Sequence, residues 1–140
     1  AQAGIGAGVQ SPINDRRLFQ QVFEAATAKW INDQLHPAAH DVAFEAWSEF
    51  QRRVYAAMDE IMQRHSNGSK VLISTSGGVI ALALQRVMQL PDSQAIAVNW
   101  MVNNSSVTRI RYGGGRASLS LFNGLSHLEE PQYRELRTFR

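Results

Sequence analysis

The chain has 140 residues, of which 44% are hydrophobic and 19% charged, with a formal charge of +2 and no cysteine. These values suit a single ordinary folded domain with a real core, and they exclude disulfide and thiol chemistry. They also exclude a membrane span, since no apolar run reaches about 18 residues, and a nucleic-acid surface, since the arginines form no dense stripe with interleaved aromatics.

Residues 1–14 are small and glycine-rich at the start, and read as a flexible segment without the basic-then-apolar pattern of a signal peptide. Pro12, Asn14 and Asp15 suggest a turn and a helix cap. Leu18, Phe19, Val22, Phe23, Ala26 and Trp30 recur at three- and four-residue steps, which predicts an amphipathic helix to about Ile31. His36-Pro37 breaks it, and Asp41 can cap a second helix with the stripe Phe44, Trp47, Phe50, Val54, Met58 and Ile61. Ser66-Asn67-Gly68-Ser69 turns the chain into a predicted strand, Val71-Leu72-Ile73, whose aliphatic run has no polar face for water. A third helix is expected from Val79 to Leu90, closed by Pro91-Asp92, and a further short one around Ala95 to Met101. The period then changes to two. Val107, Ile110 and Tyr112 alternate with polar residues, Gly113-Gly114-Gly115 is a hairpin connection, and Arg116 to Phe122 is the returning strand. Asn123-Gly124 is expected to turn the chain into an irregular, arginine-rich tail. Helix, helix, strand, helix, hairpin is the order of an α/β layered domain, with a sheet covered on both faces.

The turn from Ser74 to Gly78 carries the clearest chemical signal. A strand, a tight turn of small residues and a helix start together point free backbone N–H groups at an anion. Gly77 and Gly78 allow a phosphate close to the backbone, and Ser74, Thr75 and Ser76 supply hydroxyl donors. The spacing is neither a P-loop nor a dinucleotide fingerprint. A turn that uses small residues only to pack tightly fits the composition equally well.

Glu45-Ala46-Trp47, Phe50, Arg53-Val54 and Ile73-Ser74-Thr75-Ser76-Gly77-Gly78-Val79-Ile80 resemble the histidine phosphatase superfamily, the phosphoglycerate mutase-like proteins. The likeness continues through Asn99-Trp100, Asn104-Ser105, Val107-Thr108, Phe122-Asn123, His127-Leu128 and Thr138-Phe139-Arg140, so that it runs in order over residues 15–140. It implies a three-layer αβα, Rossmann-like fold and phosphomonoester chemistry through a phosphohistidine, without metal or organic cofactor. The family opens with a strand bearing an Arg-His-Gly nucleophile motif, followed by a second phosphate-binding Arg and an acidic proton donor. This sequence corresponds to the part after them, the C-terminal part of such a domain without its N-terminal strand or strands. Arg64-His65-Ser66 sits at a helix end and is no substitute.

A second departure lies at Ser76, where many members carry a second catalytic His. Some bacterial members with Thr-Ser-Gly-Gly form a distinct branch that this chain resembles. Serine donates a hydrogen bond but carries no positive charge, which weakens stabilisation of a phosphoryl transition state. The resemblance therefore implies a phosphate-binding turn at Ser74, Thr75, Ser76, Gly77 and Gly78, with Ser76 at the catalytic position and Glu45 at the pocket rim. Glu45 also reads as a helix N-terminal carboxylate favoured by the dipole, and Asn104 and Thr108 as residues with turn or strand-end hydrogen bonds.

The four histidines hold no metal-ligand spacing. His36 and His40 flank a Pro-Ala-Ala loop, His65 ends a helix, and His127 is expected to make a structural hydrogen bond. Trp30, Trp47 and Trp100 fall on apolar faces and read as core or interface anchors. Two functions remain open. One is the C-terminal part of a cytoplasmic phosphatase that acts on a phosphorylated small molecule, inactive without its nucleophilic half. The other is a non-catalytic anion-binding or protein-interaction module on the same scaffold. Either way, an uncovered sheet edge implies self-association or pairing with an N-terminal half.

Overall fold

The computed structural model describes residues 16–36, 44–65 and 68–138. The caps expected at Pro12–Asp15 and at Asp41, the flexible segment 1–14, His40 and the closing Phe139-Arg140 lie outside the described residues. Four helices, α1 (Arg16–Ile31), α2 (Trp47–Arg64), α3 (Gly77–Met88) and α4 (Asp92–Met101), precede two strands, β1 (Val107–Gly113) and β2 (Arg116–Gly124). Contacts group the chain into two compact units, Ala1–His36 and Pro37–Arg140. The combination of helices with a small antiparallel sheet is an α/β fold with a truncated sheet.

The first unit contains α1. Its expected apolar stripe forms, with Phe19 and Phe23 stacked one turn apart at 6.1 Å between ring centroids. Leu18, Phe19, Val22 and Phe23 nevertheless remain exposed, and Thr27 is the buried polar residue, its hydroxyl donating to the Phe23 carbonyl.

In the second unit the core is organised around α3. Ala81, Leu82 and Leu84 are buried, Leu82 completely, because α3 is apolar on several faces and packs against α2, α4 and β2. From α2 come buried Trp47 and Val54, two turns apart on one face, and from α4 comes fully buried Ala95. α2 starts at Trp47, and Ala46 as its N-cap has no side-chain acceptor. Glu49 compensates by reaching back to accept from the Ala46 N–H at 3.3 Å, the carboxylate half of a capping box. α3 stops two residues earlier than expected, because Gln89 takes the left-handed conformation (φ 55°) and its N–H caps the Gln85 carbonyl. Pro91 and Asp92 therefore open α4 rather than close α3.

Buried polar bonds fix how these helices meet. Gln85, only 5% exposed, donates from Nε2 to Asp92 Oδ1 at 2.6 Å, and its Oε1 accepts from Gln51 Nε2 at 3.0 Å and from the Tyr55 hydroxyl at 3.2 Å. Burial, with the Asp92 charge adding to it, raises the Tyr55 pKa, so the phenol stays a donor. One residue on, Arg86 donates to the Tyr55 carbonyl at 2.7 Å and to Asp59 at 2.6 Å, with its guanidinium 5.1 Å from the centre of the Tyr55 ring.

The expected hairpin is present. β1 and β2 pair antiparallel through a two-residue turn in which Gly114 (φ 56°) and Gly115 (φ 75°) both lie in the left-handed region. That is the geometry of a type I′ turn, and glycine adopts it without a Cβ clash. Register shifts flank Arg109, so nine residues of β2 lie against seven of β1. Asn123 is part of β2 rather than of a turn, and it uses its left-handed backbone (φ 56°) to anchor the irregular end of the strand. Its side chain accepts from Asn103 N–H at 2.8 Å and donates to the Met101 carbonyl at 2.7 Å, which ties β2 to the end of α4. The tail is more regular than expected, with short 3-10 segments at Ser126–Leu128 and Pro131–Leu136.

The predicted strand at Val71–Ile73 is the main correction. These residues form no strand, and Leu72 is 97% exposed where a doubly buried strand was expected. A strand is held by ladder hydrogen bonds to a neighbour. Among the described residues β1 and β2 pair only with each other, and Val71–Ile73 joins neither outer edge of that hairpin.

The Gln85 network makes a direct stability prediction. Gln85→Ala leaves the Tyr55 hydroxyl without its acceptor and Asp92 Oδ1 with Gln51 Nε2 (3.1 Å) in place of two donors, and is expected to lower unfolding free energy by about 1–3 kcal/mol. Urea denaturation measures it, and Asp92→Asn, which keeps an acceptor oxygen, should cost clearly less.

Candidate functional site

Ser74, Thr75 and Ser76 are exposed, and Ser76 is the extended N-cap of α3 (φ −90°, ψ 163°). Its carbonyl accepts from Ile80 N–H at 3.1 Å, but its side chain makes no capping bond. The first-turn N–H groups are therefore not satisfied by Ser76 Oγ, and the positive end of the α3 dipole, equivalent to about +0.5 elementary charge, lies next to the exposed Ser74–Ser76 segment. Gly77 is buried and Gly78 half-buried. A Cβ at Gly78 would lie 3.6 Å from Phe50 Cζ, an ordinary contact, so the packing there does not itself demand glycine.

Phe50 links this turn to α2. Its ring lies against Gly78 on one side, tilts against Trp47 at 6.1 Å, and has the Arg53 guanidinium 5.2 Å from its centre. Arg53 in turn forms a bidentate pair with Glu45, with both N–O distances 2.8 Å. The hydrogen bond from Arg53 holds the Glu45 carboxyl below its ordinary 4.5, and the same bond raises the Arg53 pKa. Glu45 is thus an ionised, committed carboxylate close to α2's start, three side chains along from the α3 turn. Sequence reasoning singled out Glu45 but missed Arg53 and Phe50 as its partners. Their i, i+3 spacing on one face of an amphipathic helix, with a carboxylate just ahead of it, was the available signal.

The other singled-out residues are structural or peripheral. Thr108 Oγ1 accepts from Asn123 N–H at 3.3 Å, and Asn104 bonds Thr138 through backbone (3.0 Å) and side chain (2.8 Å). The bond expected of His127 is made instead by its neighbour, since the Leu128 carbonyl accepts from Arg137 Nε at 2.7 Å while His127 is exposed. His65 caps α2, its N–H donating to Ile61 O at 3.0 Å and its carbonyl accepting from the Tyr112 hydroxyl. His36 is exposed. Trp47 is a core anchor at 5% exposure, and Trp30 and Trp100 are half-buried. A cavity of about 900 Å³ lies between the second half of α2, the end of α3 and the hairpin turn, and includes none of residues 74–78. The Ser74–Gly78 turn is an open surface rather than the wall of that cavity.

The family model for the histidine phosphatase superfamily (branch 1) matches residues 15–124. This chain belongs to that superfamily. The matched stretch holds every element from α1 to the end of β2, so the resemblance to phosphoglycerate mutase-like proteins at Glu45–Val54, Ile73–Ile80 and Val107–Asn123 falls inside it. The tail from Leu125, with His127-Leu128, lies beyond it. Neither a curated protein nor a solved structure matches the chain. No described helix of this superfamily member is long and apolar enough to cross a membrane.

The Glu45–Arg53 pair has a defined pH signature. Because the folded-state carboxyl titrates below its unfolded value, its contribution to stability is present at neutral pH and is lost as pH falls through the lowered value. Both side chains are well exposed, so the effect on stability is small and the titration itself is the sensitive readout. Side-chain carboxyl NMR should give Glu45 a midpoint below 4.5, returning toward that value in Arg53→Gln.

Proposed function

We propose that the chain binds phosphorylated small molecules through the Ser74–Gly78 turn, as the C-terminal part of a phosphomonoester-processing histidine phosphatase. The observation that carries this reading is the exposed Ser74–Ser76 segment leading into α3, whose N-cap Ser76 makes no side-chain capping bond, in a chain of this superfamily. A phosphate there would take N–H bonds from the first turn and hydroxyl bonds from Ser74, Thr75 and Ser76, with the dipole favouring its negative charge. Gly77 and Gly78 let it approach, and Glu45, already paired with Arg53, rims the surface without competing for the anion's donors.

Covalent phosphoryl transfer needs a nucleophile that these residues do not supply. The 140 residues contain no Arg-His-Gly, and among the described residues no base is hydrogen-bonded to Ser76. The nucleophilic imidazole would come from outside these residues, on an extended segment paired with the unladdered Val71–Ser76. Leu72 at 97% and Ile73 at 55% exposure support that pairing, and equally support self-association when no such strand is supplied. The 15–140 stretch then acts as the C-terminal part of a cytoplasmic, cofactor-free enzyme.

A second reading is a non-catalytic anion-binding or interaction module. It is favoured by serine in place of a second imidazole at position 76 and by the commitment of Glu45 to Arg53. Both readings share phosphate binding and differ in turnover once a nucleophile strand is present.

Thermal unfolding with inorganic phosphate, against chloride at matched ionic strength, tests the shared claim. At ten times its dissociation constant phosphate should stabilise by about 1.4 kcal/mol, a rise of about 3–6 °C. The shift should shrink in Ser76→Ala and in Gly78→Ala, the latter adding a Cβ that the Phe50 contact tolerates. Equal shifts in all three proteins would remove the turn from consideration. The chain alone should not turn over p-nitrophenyl phosphate, and hydrolysis lost on Ser76→Ala would mean that it carries its own nucleophile.

A further inference from the structure

The 900 Å³ cavity between α2, the end of α3 and the hairpin turn is well separated in the fold from the start of α3, and no step proposed above uses it. Its size lies within the range of small-molecule sites. Its walls combine two kinds of surface. Met58, Met62, Val87 and Tyr112 supply an apolar body, with the methionines able to adapt to an irregular shape. The Tyr112 hydroxyl is already committed to the His65 carbonyl, which leaves its ring for the cavity.

The charges are unequally spent. Asp59 and Arg86 both line the cavity and neutralise one another at 2.6 Å, and Arg86 also donates to the Tyr55 carbonyl. Arg116, at the mouth beside the turn, is exposed and has no hydrogen bond or ion pair from its guanidinium among the described residues. Gly114 and Gly115 stand outside the β-ladder and carry no side chain, so the turn backbone is open next to that guanidinium. The cavity therefore presents one net positive charge in a lining that is about half polar and half apolar.

We propose that this cavity is a binding site for an amphipathic organic monoanion, a flat apolar or aromatic body carrying one carboxylate. The body packs against Met58, Met62, Val87 and Tyr112, and the carboxylate takes the fork of Arg116. A dianion such as a phosphomonoester lacks a second free cation here, and a cation finds Asp59 already occupied.

The test is an amide NMR titration of the 140-residue chain with 2-naphthoate, with uncharged 2-naphthylmethanol and inorganic phosphate in parallel. Naphthoate should give saturating shifts at Gly113, Gly114, Gly115 and Arg116, and bind at least fivefold more tightly than naphthylmethanol. Arg116→Gln, an exposed change whose fold the same spectrum checks, should weaken naphthoate at least fivefold and leave naphthylmethanol unchanged. Shifts that do not saturate, that centre on Val71–Ile73, or that survive Arg116→Gln would overturn the proposal. Phosphate shifts at Gly77 and Gly78 report on the other site, so either reading can fail without the other.

Discussion

Burial of α3 is the constraint from which the second unit follows. An apolar segment that runs Val79-Ile80-Ala81-Leu82-Ala83-Leu84 cannot leave any broad face to water, so α2, α4 and β2 must all come to it. At about 25 cal/mol per Å² of apolar surface, covering a leucine side chain outweighs a surface ion pair. That is why Leu82 and Leu84 set the arrangement while exposed pairs such as Glu60–Arg64 merely decorate it. The polar layer then removes the remaining freedom. Burying apolar side chains does not fix the angle or register of helices, whereas Gln85 and Arg86 can be satisfied only if Gln51, Tyr55, Asp59 and Asp92 stand at particular heights.

The position of α3 also decides what its two ends can do. Its start is presented beside Phe50, and through Phe50 beside Arg53 and Glu45. Its end is tied by Arg86 to α2 and faces the hairpin turn across a cavity. One helix thus separates the Ser74–Gly78 turn from a hollow of mixed polar and apolar lining with one unneutralised arginine. The two ends suit different anions on purely physical grounds. Backbone N–H groups and hydroxyls match a compact oxyanion, whereas a lone guanidinium above methionines and a tyrosine matches an apolar carboxylate.

Superfamily membership and the observed backbone meet at Val71–Ser76. Its aliphatic residues Val71-Leu72-Ile73 are left exposed in the structure. That exposure links the proposed phosphate turn to whatever segment brings a nucleophile, because pairing with it would cover Leu72 and carry new side chains toward Ser76.

Much of the local structure was legible because it rests on short-range rules. The 3.6-residue stripes of α1 and α2, the apolar α3, a glycine connection at Gly113-Gly114-Gly115 and the alternation of the hairpin are all consequences of neighbours in sequence, while the two-residue form of that turn came from the structure. The residue types of the Ser74–Gly78 turn were equally plain. What the tertiary structure alone decided are relations between distant residues: that Val71–Ile73 finds no partner, that Gln85 rather than a leucine knits three helices, that Arg53 takes Glu45, and that Asn123 anchors a strand rather than turning it. A propensity describes what a segment can become, but a ladder, a buried network or an ion pair exists only when a second segment is brought within about 3 Å of it.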